Sequence, residues 1–322
     1  MSFLKFLALM ISGFATPALA LNIVLSNDDG LTSNVKALYE ALKKDRHDVI
    51  LSVPCVNQSG MGAAIAFSAP SPTLAEACLN DAAKVGDPTA GPMTRRGLSP
   101  DYHYVKGTPV MATMYGIDVL ARKRWGKAPD LVLSGPNEGQ NVGMAIIGSG
   151  TVSNAQFAAI RGIPAIAISA GEKTADAGLA NPDSPKIARL VVDLVDQLSR
   201  TAKNGRLMPE GMALNVNFPD RLEGATWVVS RIGSYQQYDM RFVEDMSAER
   251  VARGLESGGC ACPGVTVAIN HNPARTDQQQ DESVVFRKNI SVSPMQAGYD
   301  SGKEARSWLQ ASLNGMKSGF GH

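Results

Sequence analysis

Residues 21–30, LNIVLSNDDG, run from a short apolar stretch into two adjacent aspartates framed by an amide and a glycine. Leu21, Ile23, Val24 and Leu25 form a β-branched-rich run, the kind that makes a central strand covered on both faces. Asp28 and Asp29 at its end repel each other unless a cation or hydrogen-bond donors share the site. Asn, Asp and Gly are also the commonest turn residues, so the cluster by itself reads first as a plain turn. The rest of the chain decides between the two.

Residues 1–20 read as a secretory signal. Lys5 supplies a short basic region, Phe6 to Ala15 an apolar one, and Ala18-Leu19-Ala20 an A-x-A cleavage site. The apolar part is too short and too interrupted for a membrane span. The expectation is an exported protein, periplasmic or extracellular, cleaved near Ala20 and without a membrane segment. The chain beyond Ala20 is long enough for a large core and an extension. The net charge of +1 and the lack of a basic run interleaved with aromatics exclude a nucleic-acid groove. The four cysteines, Cys55, Cys78, Cys260 and Cys262, form no C-x-x-C, and the four histidines are scattered, which argues against zinc. An even count in an exported chain favours disulfides. Cys260 and Cys262 are too close in sequence to bridge without strain. The expected bonds therefore join the early pair to the late pair, with a single Cys55–Cys78 bond as the alternative.

Helical spacing runs through SNVKALYEALKKD (33–45), then come a strand, VILSVP (49–54), and a loop, NQSGMG (57–62). Residues 69–100, rich in Pro, Ala, Gly and Ser, read as an insertion containing Cys78. YHYVKGTP gives a strand and a turn, and Thr108-Pro109 starts a helix. DLVLSG (130–135) is a further strand, GSGTVSNAQFAAIRG a glycine loop opening a helix, and IPAIAIS (163–169) the next strand. A helix starting at Ser184-Pro185 leads to the strand MALNVNF. Strands alternating with helices predict an α/β fold, a Rossmann-like, mostly parallel sheet flanked by helices, over residues 21–220. Residues 221–322 change to strand pairs (TWVVSRI, GVTVAIN, VVFRKNISVSPM) and a C-terminal helix over 300–317, an extension of the same fold.

Ligands of an open parallel sheet bind outside the carboxyl ends of its strands. Three polar loops fall there: 27–30 (NDDG), 57–60 (NQSG) and 134–139 (SGPNEG). They offer two carboxylates, a hydroxyl and an amide oxygen, an all-oxygen set that suits Mg²⁺ or Mn²⁺. A fourth loop, GSGTV (148–152), opens a helix whose free N–H groups and dipole suit a phosphate. A cation beside a phosphate cradle is the constellation of a phosphoryl-transfer site. Adjacent carboxylates point to opposite sides of an extended segment and converge only as the chain turns at Gly30. That placement suits ligands to one cation, with water as the attacking group, better than a covalent nucleophile with a neighbouring acid.

Seven stretches in order, SNDDG (26–30), QSG (58–60), KGTP (106–109), SGPNEGQNVG (134–143), SGTV (149–152), LNVNFP (214–219) and TD (276–277) before ISVSP (290–294), resemble the SurE family. Its members are nucleotidase-type acid phosphatases, also called stationary-phase survival proteins. The resemblance implies one divalent cation per subunit, held by Asp28, Asp29, Ser59 and Asn137. It also implies hydrolysis of nucleoside 5′- and 3′-monophosphates, in a homodimer or homotetramer built partly through the C-terminal strands. Asn141, Ser149, Gly150 and Thr151 are the expected phosphate binders; Ser149 and Thr151 also read as caps of the helix they open. Asp277 matches an acidic position of the family but reads as a solvated loop residue and is left out of the site. Pro136, Lys106, the 69–100 insertion and the cysteines depart from the family pattern.

Two other classes compete. GSGTVS imitates half of a dinucleotide-binding G-x-G-x-x-G, as in a Rossmann-type oxidoreductase or transferase, yet it does not directly follow an apolar strand. An exported, non-enzymatic metal- or nucleotide-binding module is the other. A serine hydrolase is disfavoured further by the lack of a G-x-S-x-G elbow.

Overall fold

The apolar run of residues 21–25 becomes β1 (Asn22–Ser26), which lies between two parallel neighbours deep in a nine-stranded sheet. The computed structural model describes residues 20–67, 72–175, 178–252, 260–299 and 301–314. The predicted signal segment therefore lies outside the described residues, apart from Ala20. Among the described residues no helix is long and apolar enough to cross a membrane.

From β1 the chain forms α1 (Ser33–Lys44), capped by Thr32, whose hydroxyl accepts the Val35 N–H at 3.4 Å. It then forms β2 (Asp48–Pro54), a short β3 (Ala90–Pro92) and β4 (Tyr102–Val105). Thr108 caps α2 (Pro109–Tyr115), with Pro109 at its first position as predicted. A π-helical segment, Gly116–Ala121, carries the same helix into α3 (Arg122–Trp125). Next come β5 (Leu131–Glu138), α4 (Gly150–Ile160), β6 (Ala165–Ala170), α5 (Ser184–Thr201) and β7 (Met212–Asn217). The remainder comprises β8 (Trp227–Val229), β9 (Tyr238–Val243), α6 (Met246–Ala252), β10 (Gly264–Ile269), α7 (Glu282–Val285), β11 (Ile290–Gln296) and α8 (Lys303–Ser312).

The strand order is β3-β4-β2-β1-β5-β6-β7-β11-β8, with β4 through β7 parallel as the alternation of elements predicts. Alternate residues of each strand serve opposite faces. Ile23 and Leu25 join Leu38, Leu42, Val191 and Val195 under α1 and α5. Val24 joins Val132, Ala165 and Ala167 under α4 on the other face. The alanines of that second layer, Ala155 and Ala158 of α4 among them, let the helix approach the sheet closely.

Three expectations change. Part of the 69–100 insertion is strand, since β3 adds antiparallel to β4 at the sheet edge. VVFRKNISVSPM is not one strand: Val284 and Val285 lie in α7, and β11 begins only at Ile290, pairing antiparallel with β7 and parallel with β8. Short apolar runs of this kind have no periodicity to separate a helical turn from a strand. GVTVAIN pairs with β9, in YDMRFV, a strand that no apolar run announces.

Of the two expected cysteine pairings, the structure has the alternative, a Cys55–Cys78 bond, and not bonds from the early pair to the late pair. Cys55 bonds Cys78, with S–S 2.03 Å and Cα–Cα 4.6 Å, and Cys260 and Cys262 lie beside each other, Cα–Cα 5.1 Å. Bonds between the early and late pairs are ruled out because the backbone holds each pair in its own place. Leu79 donates its N–H to the Cys55 carbonyl at 2.8 Å, whereas the carbonyls of Cys260 and Cys262 accept from Ser247 and Met246 of α6.

Candidate active site

The chain lays β2 and β4 on one side of β1 and then returns to place β5, β6 and β7 on the other. The order reverses between β1 and β5, and in such sheets the crevice beyond the carboxyl ends at the reversal is where ligands sit. Asp28 and Asp29 leave the end of β1, Asn137 belongs to the end of β5, and Ser59 lies in the loop after β2. The segment 148–151 opens α4 on the same side. Asp28 and Asp29 are both buried.

Local chemistry makes the turn. Asn27 bridges it twice, donating from Nδ2 to the Gly30 carbonyl at 2.7 Å and accepting the Gly30 N–H on Oδ1 at 3.1 Å. Gly30 has φ +91°, a left-handed value that only glycine adopts readily. Asn154 of α4 holds the turn to β5 by donating to the Asn27 carbonyl at 3.2 Å and to Ser134 Oγ at 3.1 Å. Turned this way, the two carboxylates meet different partners. Asp28 Oδ1 accepts the Thr151 hydroxyl at 2.5 Å. Asp29 Oδ1 accepts from Asn57 Nδ2 at 3.2 Å and Ser59 Oγ at 3.3 Å, and its Oδ2 faces the Glu138 N–H at 3.4 Å. Gly150 permits the closeness of α4, since a Cβ there would lie 2.7 Å from Asp28 Cβ and 2.6 Å from Pro109 Cγ.

The predicted phosphate loop is thus partly committed within the protein. The N–H groups of Gly150 and Thr151 and the Thr151 hydroxyl all face the Asp28 carboxylate and favour its charged form. Ser149 caps α4, its hydroxyl accepting the Val152 N–H at 3.1 Å. Burial nevertheless outweighs these donors and raises the Asp28 carboxyl above its ordinary value. Asp29 is pushed up to about 8 by burial and by the charges of Asp28 and Glu138. Two adjacent carboxylates in a dry site, both raised by burial and Asp29 further by the charge of Asp28, are those a cation would stabilise.

The donor set fits such a cation on an independent observation. Asn137 spends its Nδ2 on the Gly139 carbonyl at 2.7 Å, while its buried Oδ1 has no hydrogen-bond partner among the described residues. A buried acceptor without a donor is costly unless something supplies positive charge to it. Asp45, His47 and Asp196 form another group with ligand atoms within 4.8 Å of one another, at the amino ends of β1 and β2. Its His47 Nδ1 accepts the Leu21 N–H at 3.1 Å. The neutral ring therefore carries its proton on Nε2, the nitrogen 3.5 Å from Asp45, and has no lone pair there for a cation. The carboxylate pair at the switch point fits; this cluster does not.

Asn141 lies beside the crevice on a frame the sequence shows only as LNVNFP. Asn215 and Asn217, two apart on β7 and hence on one face, both donate to the Asn141 carbonyl, at 2.9 and 3.0 Å. The Asn141 N–H returns to Asn217 Oδ1 at 2.8 Å, and its Nδ2 donates to Ser169 Oγ at 2.9 Å. Glu282 completes the frame unannounced by any motif, accepting from the Gly143 N–H at 3.0 Å and Asn215 Nδ2 at 2.9 Å, with burial pushing its carboxyl up to about 7. Asp277 is exposed and paired with Arg275, as a solvated loop residue should be. The buried acid of that segment is Asp281, which accepts from Arg231 and from the Ser234 and Tyr235 N–H groups.

A mostly parallel α/β sheet with paired carboxylates at its switch point, facing a helix N-terminus, defines a class of proteins that handle phosphorylated small molecules with a divalent cation. The chain belongs to the SurE family: residues 23–239 match the family model of survival protein SurE. It is 32% identical over 282 residues to the 5′-nucleotidase SurE of Syntrophobacter fumaroxidans, covering 85% of this chain and 93% of that one. An acid phosphatase of Yarrowia lipolytica is 36% identical over 208 residues, and the match spans 61% of this chain but only 56% of the yeast protein. The crystal structure of the SurE protein from Aquifex aeolicus superposes with a TM-score of 0.62 at 27% identity, covering 89% of this chain and 99% of that one.

Proposed function

We propose that the protein is a metal-dependent phosphomonoesterase that hydrolyses nucleoside 5′- and 3′-monophosphates to nucleoside and phosphate. The observation that carries this reading is the buried Asp28–Asp29 pair set against the partnerless Asn137 Oδ1. Asp28, Asp29, Ser59 and Asn137 would hold one Mg²⁺ or Mn²⁺ per subunit. When bound, such a cation acidifies a water and neutralises phosphoryl oxygens.

The chain's own groups do the rest. Thr151 and the first amides of α4 keep Asp28 aimed and biased toward its charged form. Asn57 and Ser59 do the same for Asp29. Asn141, fixed by Asn215, Asn217 and Ser169, would orient the phosphate beside the Ser149 hydroxyl, which keeps its own O–H to donate, while Gly150 and Thr151 serve the phosphate through the Asp28 carboxylate they hold. Thr151 holds Asp28 through Oδ1 and leaves Oδ2 as the oxygen offered to the cation, with water as the attacking group.

Export, with cleavage near Ala20, and assembly into a homodimer or homotetramer belong to the same proposal. Assembly is supported by the β9–β10 ribbon, which exposes Phe242, Val265, Val267 and Ile269 on the described surface. Release of phosphate from p-nitrophenyl phosphate and from nucleoside monophosphates, with Mg²⁺ or Mn²⁺ and with EDTA, tests the activity. Turnover that survives EDTA, or none with either ion, would overturn it.

A further inference from the structure

Lys106, the segment 74–77 and Cys55 of the Cys55–Cys78 bond take no part in the chemistry above, yet all three border one cavity of about 500 Å³. The cavity opens beyond the carboxyl ends of β2 and β4, on the same edge of the sheet as the carboxylate pair. It shares walls with the site. Gln58, which lines it, precedes Ser59 and donates its backbone N–H to the Asp28 carbonyl at 2.8 Å. Thr108, also in its wall, caps the helix whose Pro109 lies against Gly150. The space thus begins where the residues assigned to metal and phosphate end.

Its lining is mostly apolar and pre-formed. Leu74 is buried and tied by backbone hydrogen bonds to Asp87 and Gly86, at 2.8 and 2.9 Å. The disulfide and the Leu79 N–H to Cys55 carbonyl bond fasten the other end of the segment to β2. Two charges of opposite sign complete the lining, Lys106 and Glu76, and neither joins an ion pair among the described residues. An apolar, roomy slot with a few convergent polar groups is the usual form of a small-molecule subsite.

Resting on the phosphomonoesterase reading, we infer that this cavity is the leaving-group subsite and that it takes a guanine base. An ammonium donates only and a carboxylate accepts only. Guanine presents an oxygen acceptor beside two adjacent N–H donors, so it is the base that can take a hydrogen bond from Lys106 and give a pair to Glu76. Adenine places a donor where Lys106 needs an acceptor and has no pair of adjacent donors for Glu76.

The test compares kcat/KM for GMP, AMP and ribose 5-phosphate in the Mn²⁺-loaded enzyme and in Glu76→Gln and Lys106→Met. The expected result is a preference for GMP over AMP of about tenfold or more, falling by about tenfold in each variant, as loss of one charged hydrogen bond dictates. Hydrolysis of all three esters with no such preference, or with a GMP-to-AMP ratio that both variants leave unchanged, overturns the subsite and leaves the phosphatase standing. No hydrolysis of any of the three overturns both.

Discussion

Replacing Asp29 by Asn separates the demands of the site from those of the fold. Burial, Asp28 and Glu138 together push the Asp29 carboxyl from an ordinary 3.8 up to about 8. Without metal, the folded protein holds this proton up to about pH 8, whereas the unfolded chain loses it near pH 4. The folded state binds more protons throughout that window, so wild-type stability is fullest below about pH 4 and falls as pH rises towards about 8. At about 1.4 kcal/mol per pH unit, the loss at pH 7 is about 4 kcal/mol. Asn removes this penalty. It keeps an oxygen for Asn57 and Ser59 but forfeits the 3.4 Å contact with the Glu138 N–H, a loss of about 1 kcal/mol. Metal-free Asp29→Asn should therefore be about 3 kcal/mol more stable than wild type at pH 7, and nearly equal to it at pH 5. Urea unfolding in EDTA at pH 5, 7 and 8 measures both. With Mn²⁺ the order reverses, because a ligand that binds the folded wild type adds stability the variant cannot gain. A metal-free variant no more stable than wild type at pH 8, with no widening of the gap above pH 5, would refute the reasoning.

Thr151→Val removes the hydroxyl that Asp28 Oδ1 accepts, so Mn²⁺ affinity should fall about tenfold or more, read by calorimetry. Unchanged affinity would leave Thr151 a mere helix residue. Gly150→Ala places a Cβ 2.7 Å from Asp28 Cβ and 2.6 Å from Pro109 Cγ, and α4 must back away. Thermal unfolding should show a loss of about 1–3 kcal/mol together with lost activity. The Cys55–Cys78 bond closes a loop with a sequence separation of 23, so replacing both by serine should destabilise the protein by about 3 kcal/mol. Thiol labelling of the denatured, unreduced wild type should leave Cys55 and Cys78 unmodified, and reactive Cys55 or Cys78 would contradict the pairing.

The parallel core was legible because each of its strands is a short apolar run bounded by turn residues and separated from the next by a helical pattern. β1, β2, β5, β6 and β7 arise from local sequence in this way. β9 and α7 did not. YDMRFV alternates over a half-exposed ribbon, and ESVV is one helical turn, too short for any period to show. The site divides along similar lines. Asp28, Asp29, Ser59 and Asn137 stand in loops whose composition declares oxygen chemistry. Asn154, Asn215 and Glu282 sit inside helices and a strand, where nothing local marks a polar side chain as a brace.

The sequence by itself determined which loops carry oxygen donors, because a strand ending in Asn-Asp-Asp-Gly must turn and present them at the carboxyl end of a parallel sheet. Only the tertiary structure decided how those donors are spent. Two adjacent carboxylates leave an extended chain on opposite sides, and what each meets depends on elements distant in sequence. Asp28 meets α4, which approaches because Gly150 has no Cβ, and Asp29 meets the loop after β2 and the end of β5. The disulfide pairing has the same cause. Which thiols can bond depends on which backbones are strapped together, and spacing along the chain carries no information about the hydrogen bond that sets Leu79 against Cys55.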